Sequence, residues 1–144
     1  MGIFGKKNAK KLPIDSIIGS GMLFEGNIFF AGGLHIEGEV RGNINCEKND
    51  EALLVVAETG KIIGEIDVRT VVVSGTIIGS VRAEDLLELQ STSNVTGDMY
   101  YSSLEMQPGA LVQGRLSHVD KHEGESSNWS EPKQSLKLAT DSRN

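Results

Sequence analysis

Between Gly26 and Gly114, short runs of hydrophobic residues alternate with polar ones, and every run is punctuated by a glycine. The runs read Glu25-Gly26-Asn27-Ile28, Val40-Arg41-Gly42-Asn43-Ile44, Ile62-Ile63-Gly64-Glu65-Ile66, Ile77-Ile78-Gly79-Ser80-Val81, Val95-Thr96-Gly97-Asp98-Met99 and Val112-Gln113-Gly114-Arg115-Leu116. Alternation with a period of two is the pattern of a strand buried on one side. The glycines fall 16, 22, 15, 18 and 17 residues apart. Self-similarity at a period of this size marks a solenoid of stacked repeats.

A small residue precedes five of these glycines by four positions: Gly38, Gly60, Gly75, Ser93 and Ala110. Glycine suits corners, where the backbone takes positive φ or packs without a Cβ. A coil of about 17 residues fits three short strands joined by three corners. The expected fold is therefore all-β, a single-domain parallel β-helix of about six coils. Its interior would hold Val40, Ile44, Ile62, Ile66, Ile77, Val81, Val95, Met99, Val112 and Leu116. The polar stretch from Cys46 to Glu51 lengthens one interval and reads as a loop bulging from a corner. Aromatic residues are 5% of the chain, which suits a core built in layers of small branched side chains.

Three segments emerge. Residues 1–18 form an N-terminal tail, 19–118 the β-helix core, and 119–144 a flexible polar C-terminal tail that loses the period. The N-terminal tail holds four lysines and no acid before Asp15, a local charge of +4 in a chain of net charge −6. An acidic protein does not favour nucleic acid, so the segregated basic end needs its own explanation. Met1, Ile3, Phe4, Lys6 and Lys7 have the composition of a short membrane-surface anchor, with apolar side chains inserted and lysines facing anionic lipid. The same composition also suits a solvated tail, and both readings stand. No run of 18 apolar residues is present, nor the apolar stretch of a signal peptide. One cysteine excludes an internal disulfide and suits a reducing cytoplasm.

The residues of a catalytic or metal site are missing from the pattern. His118 and His122 flank Asp120 at the start of the polar tail, where spacing carries no metal signal. The acids are scattered or sit at corners, and no phosphate-binding Gly-x-x-x-x-Gly-Lys-Ser/Thr occurs. The expectation is a protein without enzymatic activity, cofactor, metal or nucleotide. The alternative is a trimeric hexapeptide-type acyltransferase or its inactive relative, although the glycine markers here come in fours and the intervals vary. A soluble adaptor is a third possibility.

A β-helix also leaves its two ends open, and proteins usually protect such edges with charge, proline or a covering element. Neither flank here supplies a cap. Phe24, Phe29 and Phe30 fall at one end and Leu111 and Leu116 at the other, so these five are the expected polymerisation interface. Stacking through both ends gives an open filament.

With the repeat, both tails and the ends in view, the chain resembles the bactofilins, a family of bacterial cytoskeletal proteins. The resemblance rests on Leu34-His35-Ile36-Glu37-Gly38-Glu39-Val40-Arg41-Gly42-Asn43-Ile44, on Ala110-Leu111-Val112-Gln113-Gly114-Arg115-Leu116, and on the tip Met1-Gly2-Ile3-Phe4-Gly5-Lys6. It implies a right-handed β-helix that polymerises without nucleotide into non-polar filaments, head to head and tail to tail. It also implies attachment by the N-terminal tip to the inner face of the cytoplasmic membrane, and localisation of cell-wall, cell-shape or chromosome-segregation machinery. Bactofilins often carry a phenylalanine in the final coil that polymerisation requires; Leu116 occupies the matching position.

Overall fold

The computed structural model describes residues 13–48 and 51–120. Fifteen strands follow one another in this region, and no helix lies among the described residues. The strands are β1 Ser16–Ile18, β2 Leu23–Glu25, β3 Ile28–Phe30, β4 Gly32–Ile36, β5 Glu39–Arg41, β6 Ile44–Cys46, β7 Ala52–Val56, β8 Lys61–Ile63, β9 Ile66–Val73, β10 Thr76–Ile78, β11 Val81–Leu89, β12 Asn94–Thr96, β13 Met99–Met106, β14 Leu111–Gln113 and β15 Leu116–His118. Every pairing is parallel and joins one coil to the next. The result is a six-coil solenoid with three faces.

Register explains why the core is aliphatic. On the second face Phe24, Val40, Ile62, Ile77, Val95 and Val112 stand one above another. On the third, Ile28, Ile44, Ile66, Val81, Met99 and Leu116 do the same. On the first, Ile18, Ile36, Val56, Val73, Leu89 and Met106 complete the bore. The members of these rows in the four middle coils are fully buried, and burying each such side chain stabilises the fold by roughly 1.5–3 kcal/mol. Val112 is half-buried and Leu116 is 40% exposed, although both belong to the expected interior. No coil lies beyond them among the described residues.

One corner is a glycine ladder. Gly64 has φ +152° and Gly79 φ +144°, and a Cβ on either would lie 2.0 Å from the carbonyl oxygen of the ladder glycine one coil earlier. Both the backbone angle and the coil spacing therefore demand glycine. The next residue caps the turn. Asn27 Oδ1 accepts from the Asn43 N–H, Asn43 Oδ1 from the Glu65 N–H and Asp98 Oδ1 from the Arg115 N–H, each at 3.0 Å.

The third corner departs from the expected three separate strands per coil. β9, β11 and β13 run through it unbroken, bending by a register shift between Ala83 and Leu86. No glycine stands at that corner in these coils to break the strand. In the long interval β6 ends at Cys46 and β7 starts at Ala52; residues 49 and 50 of the expected loop lie outside the described residues. At the other extreme, β1 pairs with β4 from Ser16 onward, so the coil stack begins within the stretch assigned to the N-terminal tail.

Candidate assembly ends

Large apolar side chains that remain exposed are concentrated at the two ends of the stack. Ile14, Ile17, Met22, Leu23 and Phe29 lie at the first coil, Met106, Leu111 and Leu116 at the last, and only Ile78 between them. End residues are exposed partly because no described residue covers them, so exposure alone does not distinguish an interface. The chemistry of the outward-facing rows adds to it.

On the second face one outward row reads Leu23, Glu39, Lys61, Thr76, Asn94, Leu111 from first coil to last. Four polar residues in the middle are flanked by two leucines, 51% and 60% exposed. On the third face the outward row opens with Phe29, 68% exposed, and continues with Asn45, Asp67, Arg82, Tyr100 and Ser117. A solenoid that ends in water should become more polar at its terminal repeats. The Leu23-to-Leu111 row runs the other way at both ends, and the Phe29 row at its first coil. By contrast, the second outward row of the second face, Glu25, Arg41, Ile63, Ile78, Thr96 and Gln113, is polar at both ends.

The five residues expected at the ends are therefore all in terminal coils, but they serve two different surfaces. Phe24 and Phe30 are half-buried and pack on the core from inside the first coil, and Leu116 points into the bore of the last. Phe29 and Leu111 point outward onto the rim. Sequence reading missed Ile17, Leu23 and Met106 and the half-buried Ile28 and Val112. Comparing each strand position down the coils was the signal that would have found them.

The C-terminal opening also carries an imidazole. His118 is in register with Tyr101, whose ring packs on the core, and the two rings meet edge to face at 6.2 Å and 64°. Side-chain ion pairs lie on the outer walls. Arg69 binds Asp85 at 3.1 Å, Lys48 binds Asp67 at 2.7 Å, and Arg41 binds Glu39 at 2.9 Å. A shallow recess on the third face is lined by Asn43, Asn45, Glu65, Asp67, Arg82 and Tyr100, with the Arg82 guanidinium 5.5 Å from the Tyr100 ring centre. Its one strong cation is thus already stacked. Cys46 is buried, and that burial pushes its thiol up, away from nucleophilic use.

Among the described residues no cluster of three His, Cys, Asp or Glu side chains is placed to hold a metal, and no helix is long and apolar enough to cross a membrane. Met1, Ile3, Phe4, Lys6 and Lys7 lie outside the described residues, as does the tail from residue 121 onward.

Three comparisons agree with this geometry. The family model described as "Bactofilin: Polymer-forming cytoskeletal" matches residues 16–117. Bactofilin BacO of Myxococcus xanthus is 28% identical over 105 residues, covering 73% of this chain and 80% of that protein. Bactofilin BacP of the same organism is 24% identical over 110 residues, covering 76% of this chain and 44% of that protein. Among solved structures, a bactofilin from Thermus thermophilus, crystallised as a phenylalanine-to-arginine mutant, superposes with a TM-score of 0.58 at 27% identity. That match covers 64% of this chain and 98% of the other.

Proposed function

The chain belongs to the bactofilin family, and from that premise we propose that it assembles end to end into non-polar filaments that need no nucleotide. The observation that supports the reading best is the outward row whose middle is polar and whose two ends are leucine. This row places apolar surface at both ends of the stack, where an unassembled subunit would meet water. It suits a stack in which Leu23, Phe24, Phe29 and Phe30 meet their copies at one junction, and Leu111 and Leu116 meet theirs at the other. Each junction then completes the bore and pairs the open strand edges.

The filament would lie on the inner face of the cytoplasmic membrane, held by Met1, Ile3, Phe4, Lys6 and Lys7. Each lysine near an anionic surface contributes about 1 kcal/mol, less the cost of ordering the tail, so one copy binds weakly. Many tails on one polymer bind together, since every contact after the first is intramolecular. The filament would then serve as a scaffold, without enzymatic activity, that localises cell-wall, cell-shape or chromosome-segregation proteins.

Negative-stain electron microscopy of the purified protein, without nucleotide or metal, tests the assembly. Long unbranched filaments, lost in Leu116→Arg, are expected; a closed trimer of fixed mass would restore the acyltransferase alternative. Flotation with anionic liposomes tests the membrane reading. Wild type should float and Leu116→Arg should not, and equal flotation would refute the dependence of binding on polymerisation.

A further inference from the structure

We propose that the outer side of the first face is a docking surface for the chain's own residues 1–12, which lie on it whenever they are not on lipid. The docking goes beyond the end-to-end reading and does not depend on it. It shares with the membrane reading only the apolar and basic tip.

A sheet with one side in water alternates apolar with polar residues, whereas a sheet covered on both sides reads as an unbroken apolar run. The first face is unbroken in its middle coils, with Leu53-Leu54-Val55-Val56 in β7, Val71-Val72-Val73 in β9 and Leu86-Leu87 in β11. Leu54, Val56, Val71, Val73 and Leu87 line the bore and are fully buried. Leu53, Val55, Val72 and Leu86 alternate with them in register, so they stand on the outer side, where they are half-buried.

The path of the described chain shows which segment reaches them. Gly33 belongs to the same outer row, one coil before Leu53, yet it is buried. A Cβ there would lie 2.3 Å from the Pro13 carbonyl oxygen and 3.0 Å from the Ile14 Cα, and Gly33 has no positive φ. Glycine is needed at this position because the chain crosses over it. Asp15 still belongs to the first coil: its N–H donates to the Gly33 carbonyl, and its carboxylate accepts from the Gly33 N–H. Traced backward from Asp15, the chain therefore steps off the first coil and onto the outer side of the second, one coil short of Leu53.

Length and charge fit this path. Coils are about 4.8 Å apart, so Leu53 and Leu86 are separated by about 10 Å. Phe4 precedes Pro13 by nine residues, up to about 30 Å of extended chain. An apolar strip two coil spacings long suits a single segment, whereas a stable second subunit needs roughly 800 Å² per partner. Ile3 and Phe4 supply the apolar side chains. Lys6, Lys7, Lys10 and Lys11 supply the charge opposite to Glu88 and Glu105, which continue the Val55–Val72 row toward the last coil. Ile3 and Phe4 cannot lie on this face and in lipid at once, so docking competes with membrane attachment.

The test is the rate of trypsin cleavage after Lys6, Lys7, Lys10 and Lys11 of the full chain, read by mass spectrometry. A Leu116→Arg background keeps any polymer from adding protection. Val72→Glu and Phe4→Ser should each speed cleavage roughly tenfold, the loss of about 1.4 kcal/mol, and the double variant no further. Ile78→Glu, on the second face, should leave the rate unchanged. Phe4 lies outside the described core, so Phe4→Ser separates docking from any loss of fold. Val72→Glu with Leu116 intact should also float better than wild type with anionic liposomes, although it adds a negative charge. Unchanged cleavage in Val72→Glu overturns the proposal, as does an additive double variant. Weaker flotation of Val72→Glu overturns it in favour of lipid on this face. Side-by-side pairing of filaments lost in Val72→Glu, with cleavage unchanged, overturns it in favour of a second copy. Flotation absent from every variant, with cleavage as expected, refutes the membrane reading and supports the docking.

Discussion

Leu111→Lys separates an assembly surface from a stability surface. Leu111 is 60% exposed and points outward from β14, in the row that is polar at every middle coil. Removing it should leave the fold within about 0.5 kcal/mol of wild type, as is usual for surface substitutions. In the proposed junction the exposed part of the side chain becomes buried. At roughly 1.5–3 kcal/mol for a fully buried leucine, 60% corresponds to about 1–2 kcal/mol per copy. A symmetric junction loses two copies at once, about 2–4 kcal/mol, or roughly 30- to 900-fold in affinity. Desolvating the new lysines adds to this. The assay is the critical concentration for pelleting, with Ile78→Lys as the control, since Ile78 is 41% exposed but lies in the fourth coil. Equal critical concentrations for Leu111→Lys and wild type would refute the reasoning, and so would equal damage from Ile78→Lys.

The glycine ladder predicts a graded cost. Gly79→Ala must relieve a 2.0 Å approach to the Gly64 carbonyl as well as its φ of +144°, and should lose about 2–5 kcal/mol. Gly26→Ala has the angle but meets only Phe24 at 3.7 Å, so it should lose about 1–3 kcal/mol; equal urea midpoints in a Leu116→Arg background would refute tight coil stacking as the cause. Asn43→Ala deprives the Glu65 N–H of its partner and should cost about 1 kcal/mol by the same assay. Cys46 is buried and its thiol is raised by desolvation, so an aromatic disulfide reagent should react slowly at pH 7.5 and stoichiometrically in denaturant. Fast native labelling would show that this layer of the core opens.

The sequence carried the fold because the fold is itself periodic. Each ladder glycine satisfies one corner, and each alternating Val or Ile fills one position of a row, so local pattern and global architecture agree. Agreement fails where the period does. β1 lies ahead of the first marker, Gly26, and could not be counted from it. The corner at Arg69, Glu84 and Asp85 has no turn residue, because a bulge in a continuous strand does the work of a turn there. The ends were legible as coils but not as surfaces. Phe29 and Phe30 look alike in sequence, yet adjacent strand positions face opposite sides, so one lines the bore and the other the rim. In the sequence His118 stands near His122 at the edge of the polar tail, with no period to place it. Its position over Tyr101 depends on the register of β15 against β13, a contact 17 residues apart in the chain.

The two ends also constrain what kind of polymer this architecture can build. Because every pairing is parallel, each coil repeats the last by translation along one axis, and the two apolar ends face in opposite directions. Self-complementary contacts at opposite ends of a straight subunit cannot close on themselves, so growth has no geometric limit. In the proposed assembly each contact would also reverse the subunit, so the polymer would have no overall direction. Nothing in such a scheme consumes energy. Filament length is then set by mass action and by whatever weakens a junction, and the most economical place to act is the weaker of the two. The N-terminal end presents three phenylalanines and Ile17, Leu23 and Ile28, while the C-terminal end presents Met106, Leu111, Val112 and Leu116 beside an imidazole. Control by substitution or by a competing partner should therefore be felt first at the C-terminal end, leaving paired subunits rather than monomers.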